Sequence, residues 1–436
     1  MNNFIQNIEP IGILLFLVAA VILLYVILSA WLNRNRTIFW SPMTFIALTF
    51  LFYTIIGPYF MISNNDTKYA GIEMADYFVL SWTGALLSFL SILVSYKFTQ
   101  KKTFGFNFKT NGKSTLYIGV IIFLIGFLSF IAFHDFNFYK VLMIFGSNTP
   151  NNGKIEGNSG YLGQIVDFCV AGVAIIQINV MKTQKLSHKL ILVLTILLSV
   201  IVFVFAGARF RLIYLFITLI SIYYLAKEKR PNPLFWLTVF ISVVLIMGAI
   251  SGSRSYQRGL DLSKIKDQEV SELIQLGLND TRIFYSSGAL ISKTLKSKEY
   301  VPLEPFFTAL TMPIPRSWWP DKPNAEYLKD ANTKIWGTTD YGIAFMNYGD
   351  SFYTFGWLGI IFNGLFLGWL SKLFWLQFYK QSKNEYNLLN LALFNGFTYV
   401  MISRGYLAQE LTMFIMFITI PMLLFKWLNI KHKIIF

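Results

Sequence analysis

Arginine is the residue type whose positions suggest chemistry most clearly in this sequence. A guanidinium group binds phosphate through two parallel hydrogen bonds, so clustered arginines are suited to holding a phosphate or pyrophosphate. The alternative is that each arginine reaches lipid phosphates or pairs with an acid. Seven arginines lie at the ends of apolar stretches or in the long loop between two of them: Arg209, Arg211, Arg254, Arg258, Arg282, Arg316 and Arg404. All except Arg282, which is a secondary candidate, are predicted to contribute to a pyrophosphate-binding site.

Three acids could supply the second half of such a site. Asp350 stands in NYGDSFYTFGWLG at the start of an apolar stretch, Glu410 follows Arg404 by six residues, and Asp167 lies inside an apolar stretch. Ionisable groups in such places are costly and usually functional. A carboxylate beside arginines can act as a general base toward a sugar hydroxyl, and Asp350 is the first choice for that role. A structural arginine–carboxylate pair is the alternative for all three acids.

Other acids and aromatic residues carry weaker signals. Asp280, Asp321 and Asp340 are expected to be solvated loop acids. Most aromatic residues are expected in the core, toward lipid or at the membrane interface. A few could stack on sugar rings, with Tyr353 retained as a secondary site residue. The others in this group are Trp336, Tyr341, Tyr348 and Trp357.

The sequence predicts neither a metal nor a cofactor. Cys169 is the only cysteine, which excludes an internal disulfide and a multi-cysteine metal site. The histidines at 134, 188 and 432 are scattered and form no metal-binding motif. No nucleotide-binding loop is present, which agrees with a substrate that is already activated.

The elements that must position these residues are membrane spans. Of the 436 residues, 55% are hydrophobic and only 14% are charged, against about 25% charged in soluble domains. A span needs about 20 mostly apolar residues. Eleven stretches qualify: 11–32, 42–62, 77–97, 115–133, 161–181, 189–207, 210–226, 233–251, 351–371, 387–403 and 407–427. We therefore expect an all-α polytopic membrane protein with about eleven transmembrane helices.

Charge in the short loops predicts the direction of the spans. Loops on one side are rich in lysine and carry only two acids, Glu228 and Glu385, whereas loops on the other side are mixed. The positive-inside rule then places the N-terminus outside and the C-terminus in the cytoplasm. The formal net charge of +15 is explained by this topology and by anionic lipid rather than by nucleic acid. The seven arginines lie outside, against the rule, which strengthens the case for a specific role.

One loop, 252–350, is far longer than the others and is predicted to be extracytoplasmic. The pattern over 281–296 predicts an amphipathic helix that lies on the outer leaflet or against the bundle, and a short helix is expected at 268–277. Four prolines forbid a regular helix across 313–323. The chain thus divides into an eight-span bundle (1–251), this loop, and a three-span bundle (351–436), within one integral domain.

The chain resembles the Wzy-type polymerases of oligosaccharide repeat units, which include O-antigen and capsule polymerases. The resemblance rests on the architecture and on four stretches: AGARFRLIYLF, GSRSYQRG, MPIPRSWWPDKP and NYGDSFYTFGWLGIIFNGLFLG. It implies a GT-C-like, metal-independent glycosyltransferase in the bacterial plasma membrane. Donor and acceptor would be oligosaccharides on undecaprenyl pyrophosphate, used in the synthesis of O-antigen, capsule or exopolysaccharide. A chain-length regulator and a flippase are the implied protein partners.

The resemblance also assigns roles to residues of this chain. Asp350 would be the base, and Arg211 and Arg254 would act in catalysis while also holding pyrophosphate. The remaining pyrophosphate ligands implied are Arg209, Arg258 and Arg316. One departure concerns the paired Arg-x10-Gly loop motifs described for some members. No glycine stands at that spacing after Arg209, Arg254, Arg258 or Arg282, so that two-loop scheme does not transfer to this chain.

Three other functions remain open at this point. An O-antigen ligase of the same architecture would need a histidine in its large outer loop, and 252–350 contains none. A flippase or other transporter of lipid-linked sugars would be expected to show two related halves, whereas these spans divide unevenly around one long loop. A membrane scaffold without catalysis explains the outward arginines least well.

Overall fold

The computed structural model is almost entirely helical in the part of the chain it describes. That part comprises residues 8–69, 72–100, 112–134, 136, 159–205, 209–253, 268–312, 314, 318–321, 326–337, 344–380 and 384–435. Its only strands, Lys68–Tyr69 and Ile72–Glu73, pair antiparallel as a short hairpin. The α-helices are α1 Pro10–Leu32, α2 Pro42–Phe50, α3 Gly57–Ser63, α4 Phe78–Phe98, α5 Gly112–Phe133, α6 Ser159–Ile165, α7 Phe168–Thr183, α8 Leu186–Phe205, α9 Arg209–Lys227, α10 Pro233–Ser253, α11 Val270–Leu278, α12 Ile283–Ser297, α13 Glu304–Thr311, α14 Glu326–Trp336, α15 Asn347–Lys380, α16 Glu385–Ser403, α17 Leu407–Phe414 and α18 Ile420–Ile435.

Ten helical segments of the described chain are long and apolar enough to cross a membrane, which agrees with a polytopic helical protein. Two of them are continuous only through a π-helical turn, Leu51–Ile56 between α2 and α3 and Ile415–Thr419 between α17 and α18. The helices α1, α8 and α10 bury little of their apolar surface, whereas α7 is mostly enclosed. Helices pair their own backbone groups, so such segments can face lipid without unsatisfied donors.

The predicted tenth span, 387–403, is a helix of different character. It forms α16, which is too polar to count among the ten apolar segments. Nearly all of α16 is buried by neighbouring helices, so it needs no apolar face toward lipid. Some of its polar groups contact protein: the side-chain amide of Asn395 donates to the carbonyl of Trp40 at 2.9 Å. A central helix that is buried by its neighbours can therefore be less apolar than a span that faces lipid.

The helix predicted from residue 351 begins earlier and is interrupted. α15 starts at Asn347, which places Asp350 within its first turn. Phe355 and Gly356 have non-helical backbone angles, and Gly356 has a φ of 61°, a conformation that favours glycine. The short outer part of α15 therefore changes direction before the long part enters the bundle.

The described parts of the loop 252–350 fold onto the bundle. The short helix expected at 268–277 is α11, and the amphipathic pattern over 281–296 forms α12. Of the two placements predicted for α12, the structure has the one against the bundle, since Phe284, Leu290 and Ile291 are fully buried and the helix packs on α4 and α15. In the proline segment, Trp318 is 82% exposed, as an interface anchor would require.

Several helix ends meet at one end of the bundle, which we call the loop end. The guanidinium of Arg209, at the start of α9, contacts Ser251 near the end of α10. Gly405, after α16, donates from its backbone to the carbonyl of Phe345, just before α15. The buried apolar cluster runs continuously from α1 through the loop helices to α18. The helices of the loop are therefore part of the same core that positions the arginines and acids at the loop end.

Candidate functional site

A buried carboxylate, Asp280, holds two arginines at the loop end. Asp280 lies in the 3₁₀ turn Asn279–Arg282 between α11 and α12, and it is only 8% exposed. Its Oδ1 is 2.8 Å from Nη2 of Arg404 and 3.9 Å from Nη2 of Arg209. The expectation that Asp280 is a solvated loop acid was wrong, because α12 docks on the bundle and carries this turn among the helix ends.

The position of Asp280 is fixed from its other side by tyrosines. The hydroxyl of Tyr53 donates to Oδ2 of Asp280 at 2.6 Å and also contacts the hydroxyl of Tyr399. Tyr53 lies in the π-helical turn Leu51–Ile56, an irregularity often found at functional sites. Just beyond it, a Cβ on Gly57 would come within 2.1 Å of the Thr281 hydroxyl, so glycine permits this close approach.

The electrostatics of this group leave an excess of positive charge, because two guanidinium groups share one carboxylate. Burial alone would raise the pKa of Asp280, but Arg404, Arg209 and the Tyr53 hydrogen bond hold it well below its ordinary value. The side chains of Arg209 and Arg404 remain 18% and 19% exposed. We call Arg209, Arg404, Asp280, Tyr53 and Tyr399 the arginine cluster. It can accept an anion without first breaking its internal contacts.

The predicted site residue Arg211 is placed differently. Its Nε lies 2.9 Å from Oδ1 of Asp167, and its Nη2 donates to the carbonyl of Gly163. Asp167 is completely buried, so the guanidinium balances a charge that has no access to solvent. Arg282 likewise pairs with Asp66 at 2.6 Å. Arg211, Asp167 and Arg282 therefore form structural arginine–carboxylate pairs, which is the alternative to a role in substrate binding or catalysis.

A second cluster at the loop end is acidic. Asp350, on α15, is 4% exposed and accepts a hydrogen bond from the backbone of Leu407. Glu410, on α17, is 8% exposed, lies within electrostatic reach of Asp350, and has one carboxylate oxygen with no hydrogen-bond partner among the described residues. Buried carboxylates normally find partners, so an unpaired one suggests a group that has a ligand or a reaction to serve.

Tyr327, on the loop helix α14, lies within electrostatic reach of the two acids. This side chain is fully buried, and its hydroxyl also lacks a partner in the described part of the chain. Burial raises the pKa of Tyr327, and the nearby charge of Asp350 raises it further, followed by Tyr406, Glu304 and Glu410. We call Asp350, Glu410 and Tyr327 the acid pocket. It contains one hydroxyl donor and two carboxylates that could receive a proton.

The short connection between α16 and α17 joins the two clusters. Burial raises the pKa of Tyr406 to about 12. The charge of Arg404 lowers this pKa and the charge of Asp350 raises it, so Tyr406 lies within electrostatic reach of both groups. Arg404 precedes this tyrosine by two residues, and Glu410 follows it by four. The proximity of Arg404 and Glu410 in the sequence thus reflects a real adjacency of the positive and the acidic groups.

A small apolar recess adjoins the arginine cluster, with a volume of about 10 Å³, which is room for about one water molecule. It lies between α9 and α10, with Arg209 among its lining residues. The apolar residues that line it are Leu212, Ile213, Phe216, Val243, Ile246 and Met247. The recess is too small to hold a lipid chain, and it shows that apolar side chains adjoin Arg209.

Not all predicted residues can be placed, and one is placed in a way that excludes its predicted role. Arg254, Arg258 and Arg316 lie outside the described residues, as do Asp340 and Tyr341. Tyr353 is 1% exposed, and Nζ of Lys334 lies 4.8 Å from the centre of its ring, so the ring is not free to stack on a sugar. No local pattern identifies Tyr53, Tyr327 or Tyr399, because each acquires its neighbours only through tertiary packing.

The pairing of Arg211 with Asp167 makes a prediction about stability. Arg211→Ala should lower the free energy of unfolding by about 3–5 kcal/mol, because it leaves a buried charge without a partner. The double variant Arg211→Ala/Asp167→Asn should recover much of that loss, and thermal unfolding in detergent measures both. If Arg211 instead serves mainly as a phosphate ligand, Arg211→Ala will remain stable and the second substitution will recover nothing.

No family model, no curated protein and no solved structure matches the chain. Among the described residues there is also no group of three or more histidine, cysteine, aspartate or glutamate side chains that could hold a metal ion. Any functional assignment therefore depends on the chemistry of the arginine cluster and the acid pocket.

Proposed function

We propose that this protein is a GT-C-like membrane glycosyltransferase that polymerises oligosaccharide repeat units carried on a lipid pyrophosphate. The observation that carries the proposal is the adjacency of the arginine cluster and the acid pocket at the loop end. Two guanidinium groups on one carboxylate suit a pyrophosphate. Two buried carboxylates, one with an unpaired oxygen, suit removal of a proton. The resemblance to Wzy-type polymerases supports the same reaction.

The reaction needs no energy source beyond its donor. The acceptor hydroxyl oxygen forms a bond to the anomeric carbon of the donor, while the bond from that carbon to the phosphate oxygen breaks. Asp350 takes the hydroxyl proton, and the lipid pyrophosphate leaves with the electron pair. Arg209 and Arg404 stabilise the negative charge that develops on the leaving group. Arg254, Arg258 and Arg316 remain proposed pyrophosphate ligands.

A lipid-linked substrate is supported by the position of Arg209 at the end of α9 and α10, two helices long and apolar enough to cross a membrane. A polyprenyl chain alongside these helices would bury apolar surface while its pyrophosphate met the arginine cluster. We therefore propose undecaprenyl-pyrophosphate-linked oligosaccharide as the substrate, with the site on the extracytoplasmic face of a bacterial plasma membrane.

One observation favours a second candidate, a flippase for the same lipid-linked glycan. Transporters often bind their substrates at interrupted helices with ionisable groups inside the membrane region. Here α15 is interrupted at Phe355 and Gly356, one turn or so beyond Asp350. In a flippase, the acid pocket would bind the glycan or a coupling proton and no glycosidic bond would form.

The test uses the purified chain in lipid vesicles with a synthetic undecaprenyl-pyrophosphate repeat unit from the cognate polysaccharide. We expect a ladder of longer lipid-linked glycans on a gel, without added nucleotide or metal. Movement of the labelled lipid between leaflets is followed in the same vesicles. Transfer of the lipid without a ladder would identify a flippase and contradict the polymerase.

A further inference from the structure

A groove at the loop end is separate from both clusters. It has a volume of about 370 Å³, within the range of small-molecule sites, and it is open on one side. The lining residues come from the segment after α12, from α14 and from α15: Glu299, Val301, Asp330, Thr333, Lys334 and Tyr353. We call this the loop groove. Carboxylates, a hydroxyl and an ammonium in one concave surface offer the hydrogen-bonding partners that sugar hydroxyls require.

The walls of the loop groove are held rigidly. The backbone N–H of Val301 donates to the carbonyl of Tyr353 at 3.0 Å, which joins the segment after α12 to α15. Nζ of Lys334 lies 3.0 Å from the Glu299 carboxylate and above the Tyr353 ring, which joins α14 to both. Its hydrogen bonds to Glu299 and its contact with Tyr353 raise the pKa of Lys334, although burial acts in the other direction. A preformed site loses less entropy on binding.

The charge of the loop groove is unbalanced. Lys334 is neutralised by Glu299, whereas Asp330 is exposed and has no ion-pair partner among the described residues. The groove as a whole therefore carries one excess negative charge, because two carboxylates face one ammonium. A glycan with carboxylate groups would be repelled, since like charges placed close together oppose binding.

The loop groove lies next to the acid pocket. Tyr353 follows Asp350 by three residues on the outer part of α15, so the two side chains share one face of the helix. Glu304 lies within electrostatic reach of both Tyr353 and Tyr327. A sugar chain whose terminal hydroxyl reached Asp350 would therefore have its adjoining residues in or beside the loop groove.

From these observations we infer that the loop groove is a glycan-binding subsite that admits neutral or amino sugars and rejects uronic acids. The assignment of the bound glycan as the acceptor rests on the proposed function. The binding preference itself rests only on the shape and charge of the groove.

Direct binding tests this inference without requiring catalysis. The full-length protein in nanodiscs is mixed with methyl glucoside, methyl galactoside, methyl N-acetylglucosaminide, methyl glucuronide and methyl galacturonide, and each is followed by saturation-transfer difference NMR. We expect the neutral glycosides to bind at least about tenfold more tightly than the uronides. Asp330→Lys should reduce or reverse that ratio. Asp321→Lys, an equal charge change at an exposed loop acid outside the groove, should leave it unchanged.

Three outcomes would overturn the inference: equal binding of uronides and neutral glycosides, an unchanged ratio in Asp330→Lys, or no binding of any glycoside at millimolar concentration. The polymerase proposal is judged separately by the gel ladder. Selective glycoside binding without a ladder would support the subsite and contradict the polymerase. A ladder from a protein that shows no such selectivity would do the reverse.

Discussion

Asp350→Asn should abolish most glycosyl transfer, with a rate loss of about 10²- to 10⁴-fold, in a protein that still folds. Asparagine has nearly the same shape as aspartate, and it can still accept the hydrogen bond from the Leu407 backbone. It cannot take a proton from the acceptor hydroxyl. The measurement is the initial rate of ladder formation in vesicles at saturating substrate, together with the thermal midpoint of each variant.

The neighbouring carboxylate allows a sharper version of this experiment. If Asp350 is the base and Glu410 assists it, Glu410→Gln should reduce the rate less than Asp350→Asn, and the double variant should be no slower than Asp350→Asn alone. Such non-additivity is expected of groups that act as one unit. Asp321→Asn, at an exposed loop acid, provides the control and should retain the full rate.

The result would also distinguish between the two acids. A full rate in Asp350→Asn together with a large loss in Glu410→Gln would move the base to Glu410 and keep the acid pocket. Full rates in both variants would remove the acid pocket from the mechanism, whatever the arginine cluster does.

The sequence predicts the membrane helices well because their signal is local. A run of about 20 apolar residues must be satisfied by lipid or core wherever it lies, so hydropathy finds it without knowledge of neighbours. The helix α12 was also predicted, because its apolar residues repeat with helical spacing. The exception is α16, where the side-chain amide of the buried Asn395 donates to the distant Trp40, and no local pattern contains that information.

The candidate site was predicted only in part, for the same reason. Charge placed at span ends identified Arg209, Arg404, Asp350 and Glu410 as noteworthy residues. What each of them contacts depends on which helix ends meet, and that is decided by packing over long sequence separations. Asp280 is 124 residues from Arg404 in the chain. Its surroundings in NDTR resemble those of any solvated turn, so the residue that organises the arginine cluster was missed.

Substitution of Asp280 should have a large effect on stability. Asp280→Asn should lower the free energy of unfolding by about 3–5 kcal/mol, because Arg209 and Arg404 would then face each other without the carboxylate between them. The matched control is Asp66→Asn, which breaks the pair of Asp66 with Arg282. Both side chains of that pair are about 20% exposed, against 6% for Asp280, so its loss should lower the free energy of unfolding by less than the loss of the Asp280 contacts.

The dependence on pH provides an independent check of the same contact. The folded protein holds the pKa of Asp280 below its ordinary value, so its carboxylate contributes fully to stability above the ordinary pKa of about 4. That contribution is lost as the pH falls through the folded pKa, when the group becomes protonated. The difference in thermal midpoint between wild type and Asp280→Asn should therefore be constant near neutral pH and shrink in acid. A difference that is the same at pH 7 and in strong acid would mean that the charge of Asp280 does not hold the arginines.

A conservative substitution of an arginine in the cluster should change substrate binding while leaving stability nearly unchanged. Asp280→Asn disturbs both, since it loosens the two guanidinium groups that are proposed to hold pyrophosphate. Arg209→Lys keeps one positive charge beside Asp280 but loses the planar fork that binds phosphate through two hydrogen bonds. It should leave the thermal midpoint close to that of wild type while raising the KM for the lipid-linked donor. An unchanged KM would show that Arg209 serves only to balance Asp280, and the pyrophosphate would then have to be held by other arginines of the loop end.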